Sequence, residues 1–203
     1  MDVRGQILKE ATKLFAAKGF DGTSVQEVAD AVGIKKPSLL YHFESKEALR
    51  QAVLDEVLAR WNDVIPHILL RAAREQQFEA VMESMTSFFL EDADRARLIL
   101  REALDRPDDL RERLLTFVQP WIALVAEQLD KGRAKGSVRP DVDSEAYATV
   151  VTGLVVSGVA LLDRLSIVLS GAPDAKSTQE RVVRELIRVA RSSLYVTEQT
   201  RAR

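Results

Sequence analysis

GIKKPSLLYHFESKEAL, residues 33–49, is the stretch on which the fold turns. Two lysines precede a proline. Apolar Leu39, Leu40 and Phe43 then interleave with Ser38, Tyr41 and His42, and Ser45 stands ahead of a new helical start at Lys46-Glu47. Pro37 suits the first turn of a helix, where its missing N–H leaves no bond unmade. Gly33 suits a left-handed helix end. Upstream, Ser24 and Glu27 have capping-box spacing, in which the serine side chain bonds the glutamate N–H and the glutamate side chain bonds the serine N–H. Residues 24–43 therefore read as two short helices joined by a glycine turn, a helix-turn-helix.

The packing sides agree with that reading. Val25, Val28, Ala29 and Val32 form one apolar face, and Ile34, Leu39 and Phe43 form another. Lys35, Lys36, Ser38, Tyr41 and His42 are left over. Side chains of this kind contact phosphate oxygens and base edges, and a helix N-terminus adds unpaired N–H groups and a positive dipole end. Singly, each has an ordinary structural reading: a solvated lysine pair, a half-buried tyrosine, a histidine packed between helices. Together, in this frame, they point to DNA.

Leu14-Phe15 and Gly19-Phe20, followed by GTSVQEVADAVGIKKPSLLYHFESKEAL, resemble the N-terminal signature of the TetR family of transcriptional regulators over about residues 4–52. The resemblance implies an all-α chain. Residues 1–46 would form a three-helix DNA-binding domain, and residues 47–203 an antiparallel helical domain for effector binding and dimerisation. It also implies that the third helix enters the major groove and the fourth begins at the DNA backbone. Ser24, Lys35, Lys36, Pro37, Ser38, Tyr41, His42 and Lys46 are the DNA-contact positions that follow. Leu40 stands where many members carry tyrosine, and Pro37 where glycine or alanine is common, so base preference does not carry over. The partners implied are double-stranded DNA with a palindromic operator, a second copy of the chain, and a small apolar or aromatic effector that releases a repressor.

Composition bounds these readings. The chain has 203 residues, 46% of them hydrophobic, and a formal net charge of −2. A globally basic nucleic-acid binder is excluded, but a local basic patch is not. The first fifty residues carry a net charge of only +1, so any electrostatic footprint rests on Lys35, Lys36 and Lys46. There is no cysteine and only His42 and His67 as histidines, so neither a thiolate nor a His-rich metal site is expected. No cofactor is expected either. The N-terminus lacks the apolar core of a signal peptide. The longest uncharged run, residues 146–162, contains glycine, serine and threonine and falls short of the ~20 apolar residues of a membrane span. A cytoplasmic protein with one buried helix there is the expectation.

Beyond residue 50 helical periodicity continues, and about nine helices are expected in all. Pro66 should kink or end the fourth. Later helices are expected at 78–91, 93–104, 110–131, 144–169 and 178–196, the last with a capping box at Ser177 and Glu180. No nucleophile motif, phosphate loop or zinc-protease motif appears, so no enzyme is expected. Trp61, Met85, Phe88, Phe117, Trp121 and Tyr147 are the candidates for a ligand cavity, with Asn62, Gln119 and Thr152 as further polar groups; at helical spacing the apolar ones are equally core residues. Val151, Leu154, Leu161, Leu165, Val183, Leu186, Ile187 and Ala190 form apolar stripes broad enough to seek a second chain. Control by a partner protein in place of a small molecule is the alternative within DNA binding. An all-α carrier or enzyme is the alternative outside it.

Overall fold

The computed structural model describes residues 2–72, 78–170 and 174–196, with side chains omitted at 65–72 and 175. Among the described residues the architecture is all-α. One isolated bridge, Val138 with Tyr195, is the only extended pairing among them.

Local chemistry sets the first four helices. Helix α1 (Val3–Lys18) is capped by Asp2, whose carboxylate accepts from Gly5 N at 2.7 Å. Ile7, Leu8, Ala11 and Phe15 bury its inner face. Helix α2 (Val25–Val32) carries the expected capping box: Glu27 N donates to Ser24 Oγ at 3.1 Å, and Ser24 N donates to Glu27 Oε2 at 2.7 Å. Glu27 also receives the Lys18 ammonium, and that bond, followed by the Ser24 bonds, lowers its pKa to about 2. Gly33 ends α2 in the left-handed region, at φ 79° and ψ 28°. Ile34 N then donates to Ala29 O at 2.9 Å, which closes the helix end by a six-residue ring typical of such turns. Helix α3 (Lys36–His42) follows at once with Pro37 in its first turn. Ser45 caps α4 (Lys46–Ala72) by accepting from Ala48 N at 3.0 Å.

Leu39 is fully buried against Val28, Ala29, Phe15 and Phe43. Such burial stabilises by about 1.5–3 kcal/mol. It leaves α3 anchored by few side chains, with the rest of its surface free.

The remaining helices are α5 (Phe78–Leu90), α6 (Ala93–Asp105), α7 (Pro107–Arg113), α8 (Gln119–Ala134), α9 (Ser144–Ala160), the short α10 (Leu162–Leu165) and α11 (Ala175–Leu194). Their core gathers Trp61, Met82, Phe88, Phe89, Trp121 and Val155. Helix α6 packs on both α1 and α9, and its buried Leu98 joins the N-terminal core, so it links the two halves.

Four expectations about helix limits are corrected. The fourth helix does not end at Pro66 but runs on to Ala72, so its other backbone bonds outweigh the one the proline removes. The single helix expected at 110–131 is divided into α7, a π-helical turn at Leu114–Val118, and α8. Pro120 lacks the N–H that would bond Thr116 O, and Gln119 N reaches back five residues to Leu114 O. The helix expected at 144–169 breaks at Leu161 and bends by 67° into Leu162–Val168. Beyond the bend Asp163 pairs with Arg97 of α6, largely in solvent. The last helix starts at Ala175, not near 178; Asp174 caps it by accepting from Ser177 N at 2.7 Å, so Ser177 lies inside the helix and is not its cap. Among the described residues no single helix is long and apolar enough to cross a membrane, although the bent pair Ser144–Ala160 and Leu162–Val168 together meets that test of length and composition.

Candidate nucleic-acid interface

Helix α3 divides cleanly between anchor and free face. Leu39 and Phe43 are buried, whereas Lys35, Lys36, Pro37, Ser38, Tyr41 and His42 are exposed. Tyr41 is 89% exposed, an extreme value for so large a ring. Its one ring neighbour among the described residues is His42, edge-on at 5.6 Å. Ser24 is exposed, with its hydroxyl and N–H both engaged in the capping box of α2. The free face thus presents two ammonium groups, two hydroxyls and an imidazole along about two turns of helix. None of these groups is needed for packing.

Lys46 occupies a different setting. It is half-buried, with its ammonium 4.1 Å from the centroid of the Phe20 ring. The guanidinium groups of Arg106 and Arg50 also face that ring, at 4.5 and 5.5 Å. Phe20 therefore gathers cations from α4 and from the end of α6, and cation–π attraction holds them there.

Arg50 forms the principal polar link between the DNA-binding unit and the rest. It is 1% exposed and bonds Glu47 and the buried Glu102 of α6 at 2.5 Å each, and Asp109 of α7 at 2.6 Å. Burial alone would lower its pKa, but the Glu47 bond and the Glu102 charge more than offset that and leave it raised. Arg101 adds a second link: its guanidinium donates to Ala17 O near the end of α1. From the sequence Phe20 stood out only as part of the family signature, and Arg50, Glu102 and Arg101 did not stand out at all. One signal was available: Arg50 occupies the inward position of the stripe that continues through Val53, Leu54 and Val57, where a charge needs a partner.

A cavity of about 340 Å³ lies among α4, α5, α8, α9 and the end of α11. This volume is at the lower end of the roughly 300–1,000 Å³ of ligand pockets. Of the six candidates, Trp61, Met85, Trp121 and Tyr147 line it. Phe88 and Phe117 are not on the lining: Phe88 packs on Trp61 and Phe89 behind the wall, and Phe117 sits half-buried in the π-helical turn. Thr152 lines the cavity, whereas Asn62 and Gln119 do not. Met82, one of the sulfur side chains that recur on these helices, lines it too, and so do Phe78, Lys131 and Lys135, which were unforeseen. The side chain of His67 falls outside the described residues.

The apolar stripes also divide. Val151, Leu186 and Ala190 are buried in this chain's own core, because α9 and α11 pack on each other and on α5, so these three do not face outward. Ile187 and Val183 are half-buried, and Ile187 packs on the same core. Leu154, Leu161 and Leu165 remain outside at 38–43% exposure, next to Val150, Ile167 and Val168 at 68–80%. Helical periodicity could not show that the chain bends at Leu161 and leaves Ile167 and Val168 exposed beyond the bend.

A helix-turn-helix unit fused to a larger helical bundle that surrounds a cavity is an architecture of DNA-binding regulators, and comparison gives the family. Residues 7–53 match the model for bacterial regulatory proteins of the tetR family, and residues 99–166 match the tetracyclin repressor-like C-terminal domain. The chain belongs to the TetR family of transcriptional regulators. It is 28% identical over 151 residues to the HTH-type transcriptional repressor KstR2 of Rhodococcus jostii, covering 70% of this chain and 71% of that one. With the HTH-type transcriptional repressor DhaR of a Mycobacterium species it shares 26% over 155 residues, covering 72% and 75%. Its fold matches the structure of KstR2 from Mycobacterium tuberculosis with a TM-score of 0.73 at 19% identity, over 97% of this chain and 96% of that one. The fatty acid degradation regulator FadR from Bacillus halodurans matches with a TM-score of 0.69 at 19% identity, over 92% and 95%.

Proposed function

We propose that the protein is a homodimeric transcriptional repressor that reads a palindromic operator with α3 and leaves it when a small, largely apolar molecule enters the cavity. The observation that carries the reading is the free face of α3, with Lys35, Lys36, Ser38, Tyr41 and His42 held out by a fully buried Leu39. On this reading Lys35, Lys36 and Lys46 neutralise phosphates, the first turn of α3 meets the backbone together with Ser24 and Pro37, and Ser38, Tyr41 and His42 reach the groove. Repression is supported by the names of the KstR2 and DhaR relatives. Dimerisation is supported by the exposed apolar band of Val150, Leu154, Leu161, Leu165, Ile167 and Val168, which a single chain leaves in water.

The coupling is mechanical. Trp61, on α4, lines the cavity, and α4 begins beside α3 and is tied to α6 and α7 through Arg50. A ligand that displaces the middle of α4 works against that tie and changes the separation of the two α3 helices. Coupling of this kind is typically about 1–3 kcal/mol, and operator DNA must weaken ligand binding by the same factor. The test is an electrophoretic shift on the DNA upstream of the protein's own gene, with and without a lipophilic extract of the cells. A shift that the extract reverses is expected. A shift untouched by any extract would leave DNA binding and remove the ligand response.

A further inference from the structure

The cavity has two chemically distinct ends. At the inner end Trp61, Met82, Met85 and Trp121 are buried and largely apolar, with the Trp121 Nε1–H left without a partner among the described residues. At the outer end Gln128, Lys131 and Lys135 line it and are exposed. The described lining contains no aspartate or glutamate. Three hydroxyl groups on the wall are already used on the backbone: Tyr147 Oη donates to Ala190 O at 2.7 Å, Thr152 Oγ1 to Ala148 O at 2.8 Å, and Ser137 Oγ to Gly132 O at 3.0 Å. Lys131 bonds Glu127 at 2.7 Å, but both side chains are more than half exposed, so solvent screens the pair. Lys135 has no carboxylate within ion-pair distance among the described residues.

Each class of ligand meets this lining differently. A cation would find two ammonium groups and no described carboxylate on the wall. A neutral polar molecule would find the Trp121 indole N–H at the inner end and the Gln128 amide at the outer one, but no uncommitted acceptor beside the inner donor among the described residues, so most of its polar groups would lose water without compensation. A purely apolar molecule would fit the inner end but leave Lys135 unused. A molecule with an apolar body and an anionic end satisfies both ends at once.

We propose that the effector is an apolar carboxylate, with its hydrophobic body against Trp61, Met82, Met85 and Trp121 and its carboxylate at Lys135, supported by Lys131. The assignment rests on the ligand-response reading above and adds the chemical class. The wall that carries the lysines is built for close approach. Gly132 lies so near the returning chain that a β-carbon there would stand 2.8 Å from Val138 Cγ2, and Gly136, at φ 75°, turns the chain back towards it. The two lysines also offset the carbonyl end of the α8 dipole. That role is independent of any ligand, and the test separates the two.

The test uses the full-length protein and two matched probe series: dodecanoate, dodecan-1-ol and dodecylamine, each below its micelle concentration, and 2-naphthylacetate with its alcohol and amine counterparts. Quenching of Trp61 and Trp121, the only two tryptophans, reports occupancy. In at least one series the carboxylate binds about tenfold tighter than the alcohol, and the amine binds weakest. Lys135→Gln with Lys131→Gln removes that preference and leaves alcohol affinity unchanged, while thermal unfolding stays within a few degrees of the parent. Equal affinity for carboxylate, alcohol and amine, no carboxylate binding in either series, or an unaltered preference in the double variant would each overturn the proposal. Operator release is scored separately. Carboxylate binding with the lysine dependence but without release of DNA upholds the site and removes the ligand-response reading; release by alcohol and amine as readily as by acid keeps that reading and overturns the carboxylate.

Discussion

The segment 24–49 and the segment 107–169 are both helical, yet they are organised by different physics. In the first, nearly every feature has a cause within a few residues. A capping box starts α2, a left-handed glycine ends it, a proline opens α3 and a serine caps α4. In the second, the departures from regular helix decide the shape. A proline forces a π-helical turn, and a bend of 67° redirects the chain after Leu161. The contrast shows where function is positioned by local backbone chemistry and where it is positioned by packing at a distance.

The contrast breaks first at α11. Leu186→Glu places a charge in the core formed by α9, α11 and α5, where Leu186 is only 8% exposed. A loss of about 3–5 kcal/mol is expected, a large part of the 5–15 kcal/mol that stabilises a typical protein. Leu165→Glu, on the outer band, should leave helicity and unfolding unchanged but shift sedimentation from dimer to monomer and weaken operator binding by about a hundredfold. Should Leu186→Glu remain fully folded, the packing of α11 on α9 would be wrong. A Leu165→Glu protein that stayed dimeric would move the interface off this band.

A smaller effect sharpens the local side. Nothing lies within 4 Å of where a β-carbon on Gly33 would stand, so Gly33→Ala meets no neighbour and tests backbone conformation alone. The left-handed region costs an ordinary residue about 1–2 kcal/mol, and thermal unfolding should report that loss. A neutral substitution would show that the turn between α2 and α3 is held by tertiary packing after all.

These differences explain how much could be read in advance. The helix-turn-helix was legible because its signals are short: Ser24 with Glu27, Gly33, Pro37 and the apolar spacing of Val28, Leu39 and Phe43 all act within a turn or two of where they stand. The free face of α3 followed by elimination. The far half gave up its helices but not their limits, because a proline inside an apolar stripe can end, kink or widen a helix, and Pro66 and Pro120 had different outcomes. Nor could periodicity assign Leu186 and Leu165 to opposite environments. Both lie on apolar stripes, and only the docking of α9, α11 and α5 decides which stripe is covered. Arg50 was missed for the same reason: Glu102 and Asp109, which neutralise it, are more than fifty residues away. The lysines of the cavity were hidden because they stand at the end of α8, where a solvated helix terminus is the ordinary reading, and only the docking of α4, α5 and α9 makes that end part of a wall.

The central claim is that the exposed side chains of α3 bind DNA while its buried ones only hold the helix. Fluorescence anisotropy on a labelled duplex of random sequence, across a range of salt concentrations, tests it without knowledge of the operator. The protein in which Lys35, Lys36 and Tyr41 are all alanine should unfold like the parent, since exposed positions contribute within about 0.5 kcal/mol. Its dependence of log affinity on log salt should be shallower by about two units, one for each lost lysine contact. An unchanged affinity and salt slope in a properly folded triple variant would contradict the account and place the DNA-binding surface elsewhere on the molecule.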